Sequence, residues 1–165
     1  MEVLTIRSLF NYKKPAFWIL SAVVIVVLLA GFFLIYNPGA EQEKQDVISL
    51  VKDFGDALKT VSLLAPDEIV AESIKEQYSD FITPELLAKW QSNPQSAPGR
   101  VLSSPWPDRI DVISIEGDGN GYVVYGEIIE VTSTEQQSGV AANQITLKII
   151  KQDDRWFISN IEVSQ

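Results

Sequence analysis

"ITLKIIKQDDRWFISNIEV", residues 145–163, sets two runs rich in β-branched and aromatic residues on either side of Gln152-Asp153-Asp154. Runs of this composition bounded by a short polar turn read as paired strands. Working back along the chain, the pattern recurs. "RIDVISIE" (109–116) and "YVVYGEIIEVTS" (122–133) flank "GDGNG" (117–121), a hairpin turn signature. "EQQSGVAAN" (135–143) is a longer connection leading into "QITLKIIK" (144–151). Four strands thus follow one another as a meander, and such a sheet is stable by itself once helices cover one face.

The covering helices lie upstream, where the apolar period lengthens from two residues to between three and four. From Glu41 to Leu64, Val47, Leu50, Val51, Phe54, Leu58 and Val61 recur at helical spacing. "APDEIVAESIKEQYSDF" (65–81) predicts a second helix, with Pro66, Asp67 and Glu68 at its start and Ile69, Ile74, Tyr78 and Phe81 as its buried stripe. Thr83-Pro84 reads as the N-cap and first residue of a short third helix, "PELLAKWQ" (84–91). Residues 92–107, "SNPQSAPGRVLSSPWP", hold four prolines and a glycine, so a loop is expected there, with Trp106 on it.

Ahead of these elements, Phe17 to Tyr36, "FWILSAVVIVVLLAGFFLIY", is a run of 20 residues without a charge. A helix of that length spans roughly 30 Å, the thickness of a bilayer's hydrocarbon core. Aromatic residues at both ends suit the two interfaces, and Lys13-Lys14 before the run places the N-terminus in the cytoplasm. A cleaved signal peptide fits less well, because its apolar region is shorter and its cleavage site needs small residues where Pro38 stands. The expected organisation is a cytoplasmic segment (1–16), a transmembrane helix (17–36), a hinge (37–40) and an extracytoplasmic domain (41–165).

Charge follows the same division. Residues 1–36 carry Arg7, Lys13 and Lys14 against Glu2, while residues 41–165 carry 10 basic and 21 acidic residues, for a chain total of −9. An acidic domain is a poor partner for nucleic acid, whose binding needs lysine and arginine against phosphate. The chain has no cysteine and no histidine, which removes disulfides, thiol chemistry, cysteine zinc sites and the commonest general base.

Two resemblances add to this reading. "RSLFNYKKPAFWILSAVVIVVLLAGFFLIYNP", Arg7 to Pro38, resembles the membrane segment of antirepressor-type membrane metallopeptidases related to the β-lactam sensors of Gram-positive bacteria. Their H-E-x-x-H zinc helix has no counterpart in a chain without histidine, so the resemblance implies a shared anchor and a regulatory setting, not peptidase activity. Residues 145–163, closing with Trp156 and Ile158 two positions apart, resemble the last hairpin of the nuclear transport factor two-like (cystatin-like cone) superfamily. That resemblance implies an α+β domain of about three helices on a curved, mainly antiparallel four-stranded sheet, with a cavity between them. Its members include isomerases, dehydratases and many non-catalytic domains, so the fold does not name the function.

Candidate chemistry is sparse. An isomerase-type pocket needs a carboxylate base beside a tyrosine, and Tyr78, Tyr122 and Tyr125 with Asp80, Asp111 or Glu127 supply the residue types. The same tyrosines suit amphipathic core positions, and that is the weightier reading. "EGDGNG" (116–121) has alternating Asp118 and Asn120 but lacks the remainder of a calcium loop, so it reads as a turn. Trp106, flanked by prolines, reads as a plug at one end of the domain or as a partner-binding anchor. No catalytic residue, cofactor or metal ligand is singled out. The residues expected at a pocket or interface are Tyr78, Trp106, Tyr125 and Glu127, and the expected partners are the bilayer and a small ligand or an envelope protein.

Overall fold

A computed structural model describes residues 25, 38–134 and 139–164. The expected membrane span, Phe17 to Tyr36, lies outside the described residues apart from Ile25. Among the described residues no helix is long and apolar enough to cross a membrane. The chain divides into two compact units, Met1–Glu41 and Gln42–Gln165. The second is an α+β domain: helices α1 (Pro38–Ala57, of which Gln42 onward belongs to this unit), α2 (Asp67–Tyr78) and α3 (Pro84–Ser92) precede strands β1 (Trp106–Gly117), β2 (Gly121–Val131), β3 (Val140–Gln152) and β4 (Arg155–Ser164).

In α1, Val47, Val51, Phe54 and Leu58 of the following turn are fully buried, one stripe of a 3.6-residue period. The expected hinge, residues 37–40, is helical from Pro38 onward, and a proline at the first helical position loses nothing by lacking an N–H. The helix also stops sooner than its apolar period suggests. A 3-10 turn occupies Leu58–Thr60 and Val61 is extended. The cause lies far away in sequence: Arg100 donates its N–H to Val61 O (2.8 Å) and Leu63 donates to Arg100 O (3.0 Å). Those bonds satisfy the backbone groups that a further helical turn would have used.

The buried stripe of α2 is Val70, Ile74 and Tyr78, not one beginning at Ile69, which is 58% exposed. Five residues advance a helix by about 500°, which turns Ile69 well away from Ile74, whereas four leave Val70 almost in line. Beyond the helix, Ile82 is buried and Phe81 only partly so. Thr83 caps α3, accepting from Leu86 N at 3.3 Å, with Pro84 at the first helical position.

The four strands pair antiparallel in the order β1-β2-β3-β4. Two residues with positive φ, Asp153 (47°) and Asp154 (61°), make the tight β3–β4 turn, and aspartate tolerates that region better than most side chains. The strands run longer than their sequence signatures. Val140 to Asn143, expected in a connection, belong to β3, and Trp106, expected on a loop, opens β1 opposite Val131. Bulges interrupt the pairing four times, twice in β1, once near Ile128 and once near Lys148. Each resets the in–out alternation and bends the strand.

One face of the sheet carries Ile110, Val124, Leu147, Ile149 and Ile158, all essentially buried in one core with the helix stripes. A Cβ on Gly55 of α1 would stand 2.6 Å from Ile110 N, so glycine permits the helix to approach β1 this closely. The outer edge of β4 is paired at one point: Ile158 N–H donates to Phe81 O (2.9 Å) and Thr83 N–H to Ile158 O (3.0 Å).

Candidate functional site

A cavity of about 400 Å³ opens at the end of the sheet where β1 and β3 begin and β2 and β4 finish. Leu58, Leu63, Trp90, Ile128 and Ile161 form its apolar lining, and residues 95–99 with Val101 form the wall across from the strands. That wall contains no regular strand or helix of useful length, yet it is pinned at several points. Gln95 Nε2 donates to Leu63 O (3.3 Å) and to Asp67 Oδ1 (3.0 Å), and the Val61–Arg100–Leu63 backbone bonds hold its other end. A Cβ on Gly99 would meet Val61 O at 2.9 Å, so the two segments touch through glycine.

Tyr78, one of the residues expected at a pocket, has a structural part in this wall. Its ring lies in the core between Phe54 (centroids 5.0 Å apart) and Trp90 (6.0 Å), and its hydroxyl donates to Pro98 O at 2.8 Å. Burial pushes the Tyr78 pKa far up, because a phenolate would be desolvated there, and the side chain therefore stays neutral and fixed. It supports the cavity wall without lining the cavity.

The other expected residues point elsewhere. Tyr125 and Glu127 alternate with the buried Val124 and Ile128, so they lie on the outer sheet face, where Tyr125 is 39% exposed. Glu127 is directly opposite Asp111, and Arg109 beside them holds Asp111 at 3.0 Å, offsetting two like charges. Trp106 is half-buried opposite Val131 and, by alternation with the cavity-lining Pro107, also faces the outer side. Only Tyr125 and Glu127 of the four share a locality. Tyr122 packs edge-on against Trp156 (5.3 Å), and the main-chain carbonyl of Asp80, just past α2, accepts from the Arg155 guanidinium Nη2 (3.5 Å). No tyrosine–carboxylate pair in a cavity results from these residues.

The turn acid Asp118 is spent on the sheet. Lys148 Nζ lies 3.1 Å from its carboxylate, and this bond with a further one from the Asn120 backbone lowers its pKa. Among the described residues no group of three acidic side chains is placed to hold a metal ion.

The polar groups that do meet at the cavity are Gln95, Ser96, Glu130 and Asn143. None of them stood out in the sequence, although a signal existed. Tyr122, Val124 and Ile128 set the inward parity of β2, and Glu130 falls on it; Ile145, Leu147 and Ile149 set that of β3, and Asn143 falls on it. Two polar residues at inward positions at the same end of adjacent strands mark the end of the packed core. No protein-family model, no characterised protein and no solved structure matches the chain.

Proposed function

We propose that the chain is a single-pass membrane protein whose extracytoplasmic domain, residues 41–165, binds a small ligand without transforming it. The anchor in this reading is Phe17 to Tyr36, supported by its uncharged length, its aromatic ends and the preceding lysines. Helices on one sheet face with a cavity at one end are in keeping with a nuclear transport factor two-like cone. The resemblance of residues 7–38 supports a sensor or accessory role beside an envelope peptidase system.

The cavity is the observation that carries the proposal. Its volume of about 400 Å³ is in the range of small-molecule sites, and Gln95, Ser96, Glu130 and Asn143 converge there on a mixed polar and apolar surface. The rival isomerase or dehydratase reading asks a tyrosine to stabilise an oxyanion beside a carboxylate base. Tyr78 instead commits its proton to a backbone carbonyl at 2.8 Å, which favours binding over catalysis. The test is thermal unfolding of the full chain in lipid discs against lipids, envelope fragments, steroids and β-lactams. A ligand at 100 times its Kd adds about 2.7 kcal/mol, a shift of several degrees, and Ser96→Trp at the cavity wall should abolish it. If the midpoint never moves, the assignment passes to a protein-interaction domain.

A further inference from the structure

Each polar group around the cavity has a definite hydrogen-bonding capacity left after its bonds within the protein. Gln95 uses both amide hydrogens on Leu63 O and Asp67 Oδ1, so its side chain offers the cavity only an acceptor oxygen. Ser96 gives its hydroxyl hydrogen to Asn93 O at 2.7 Å, so it too is left with lone pairs. Glu130 brings an ionisable carboxyl, which accepts through both oxygens when charged. Asn143 retains donors beside its carbonyl, and the indole N–H of Trp90 is the other side-chain donor of the lining. Among the side-chain groups of the lining, acceptors therefore outnumber donors.

Its charge has the same bias. Glu130 is the one ionisable side chain of the lining, and no lysine or arginine contributes to it. Among the described residues no basic group forms an ion pair with Glu130; the lysines and arginines that pair do so with Asp56, Asp108, Asp111, Asp118 and Glu43. Glu130 is half-buried and faces the cavity, so an entering cation would meet a carboxylate that no basic side chain already occupies. Arg100 stands between the lining residues Gly99 and Val101 but does not itself line the cavity.

Building on the small-ligand reading above, we infer that this cavity takes a small organic cation. Such a ligand pairs an apolar body with a primary ammonium or guanidinium group whose N–H donors engage Glu130, Gln95 and Ser96. Anions are disfavoured, since they would meet the Glu130 carboxylate and no lysine or arginine in the lining to receive them.

Three isosteres separate this inference from the reading it rests on: 2-phenylethylamine hydrochloride, 2-phenylethanol and phenylacetate. Each is titrated into the isotope-labelled full chain in zwitterionic lipid discs, with empty discs as blank, following the amides of Gly99, Glu130 and Asn143 by NMR. The amine should bind at least about tenfold more tightly than the alcohol, as charge-assisted hydrogen bonds require, and phenylacetate least of all. Glu130→Gln should remove the amine's advantage and leave the alcohol unaffected. Asn143→Asp, which adds a carboxylate, should enlarge it and keeps the test open if Glu130→Gln does not fold. Equal binding of amine and alcohol would overturn the cation assignment and leave the cavity reading standing. No binding of any isostere would overturn both.

Discussion

Tyr78 shows how one side chain combines core and site. Its ring fills the space between Phe54 and Trp90, while its hydroxyl reaches the half-buried carbonyl of Pro98 on the cavity wall. Tyr78→Phe keeps the ring and removes the bond, so it should cost about 1–2 kcal/mol in urea unfolding, one lost hydrogen bond plus an acceptor left without its partner. The cost depends on pH with a definite sign. Burial raises the folded-state pKa, so the contribution is complete below the ordinary tyrosine value of about 10 and is lost as pH rises beyond it. The stability gap between the two proteins should therefore narrow on the alkaline side, and a gap that widens there would contradict this account. A tyrosine at a helical stripe position was legible in the sequence as core. Its bond to Pro98 was not, because it joins residues 20 apart through a loop without periodicity.

At the scale of elements, two contacts set how α1 and the hairpins sit on the sheet. Gly55 lets α1 close on Ile110. Gly55→Ala gains about 1 kcal/mol of helix propensity, but its Cβ would lie 2.6 Å from a backbone nitrogen, and overpacking of that kind costs about 1–3 kcal/mol. Backbone cannot rotate aside as a side chain can, so the clash should win and the midpoint of thermal unfolding should fall. Gly117→Ala is the control, since its Cβ would meet nothing within 4 Å. The β1–β2 turn bears a different prediction. Asp118 is exposed and its pKa is lowered by Lys148, so its contribution holds above the ordinary aspartate value near 4 and disappears as pH falls. Asp118→Asn should accordingly be less stable than the parent at neutral pH and converge with it under acid conditions. Helix and strand identities were legible in advance because they follow from local periodicity and turn composition. Their ends were less so: α1 ends where Val61 finds Arg100, a partner 39 positions along the chain.

For the whole molecule, the proposed membrane anchor and orientation are open to direct measurement because the chain has no cysteine of its own. Ser164→Cys should react with a membrane-impermeant maleimide in intact spheroplasts, and Ser8→Cys only after lysis. The reverse pattern would invert the proposed topology, and labelling of both in intact cells would remove the anchor. The sequence alone determined the element types, the apolar segment, the acid balance and the absence of thiol and imidazole chemistry. Each of these is a property of composition or of spacing over a few neighbouring residues. Tertiary structure decided which side of the sheet each polar residue faces and where the cavity opens. Along β2 and β3 the unbroken alternation puts Tyr125 and Glu127 on the outer face and Glu130 and Asn143 on the inner one, whereas bulges in β1 and β4 bring Pro107 and Ile161 to the cavity side with Ile110 and Ile158. The wall that completes the cavity is held by hydrogen bonds between distant segments, and such pairings exist only once helices and sheet have packed.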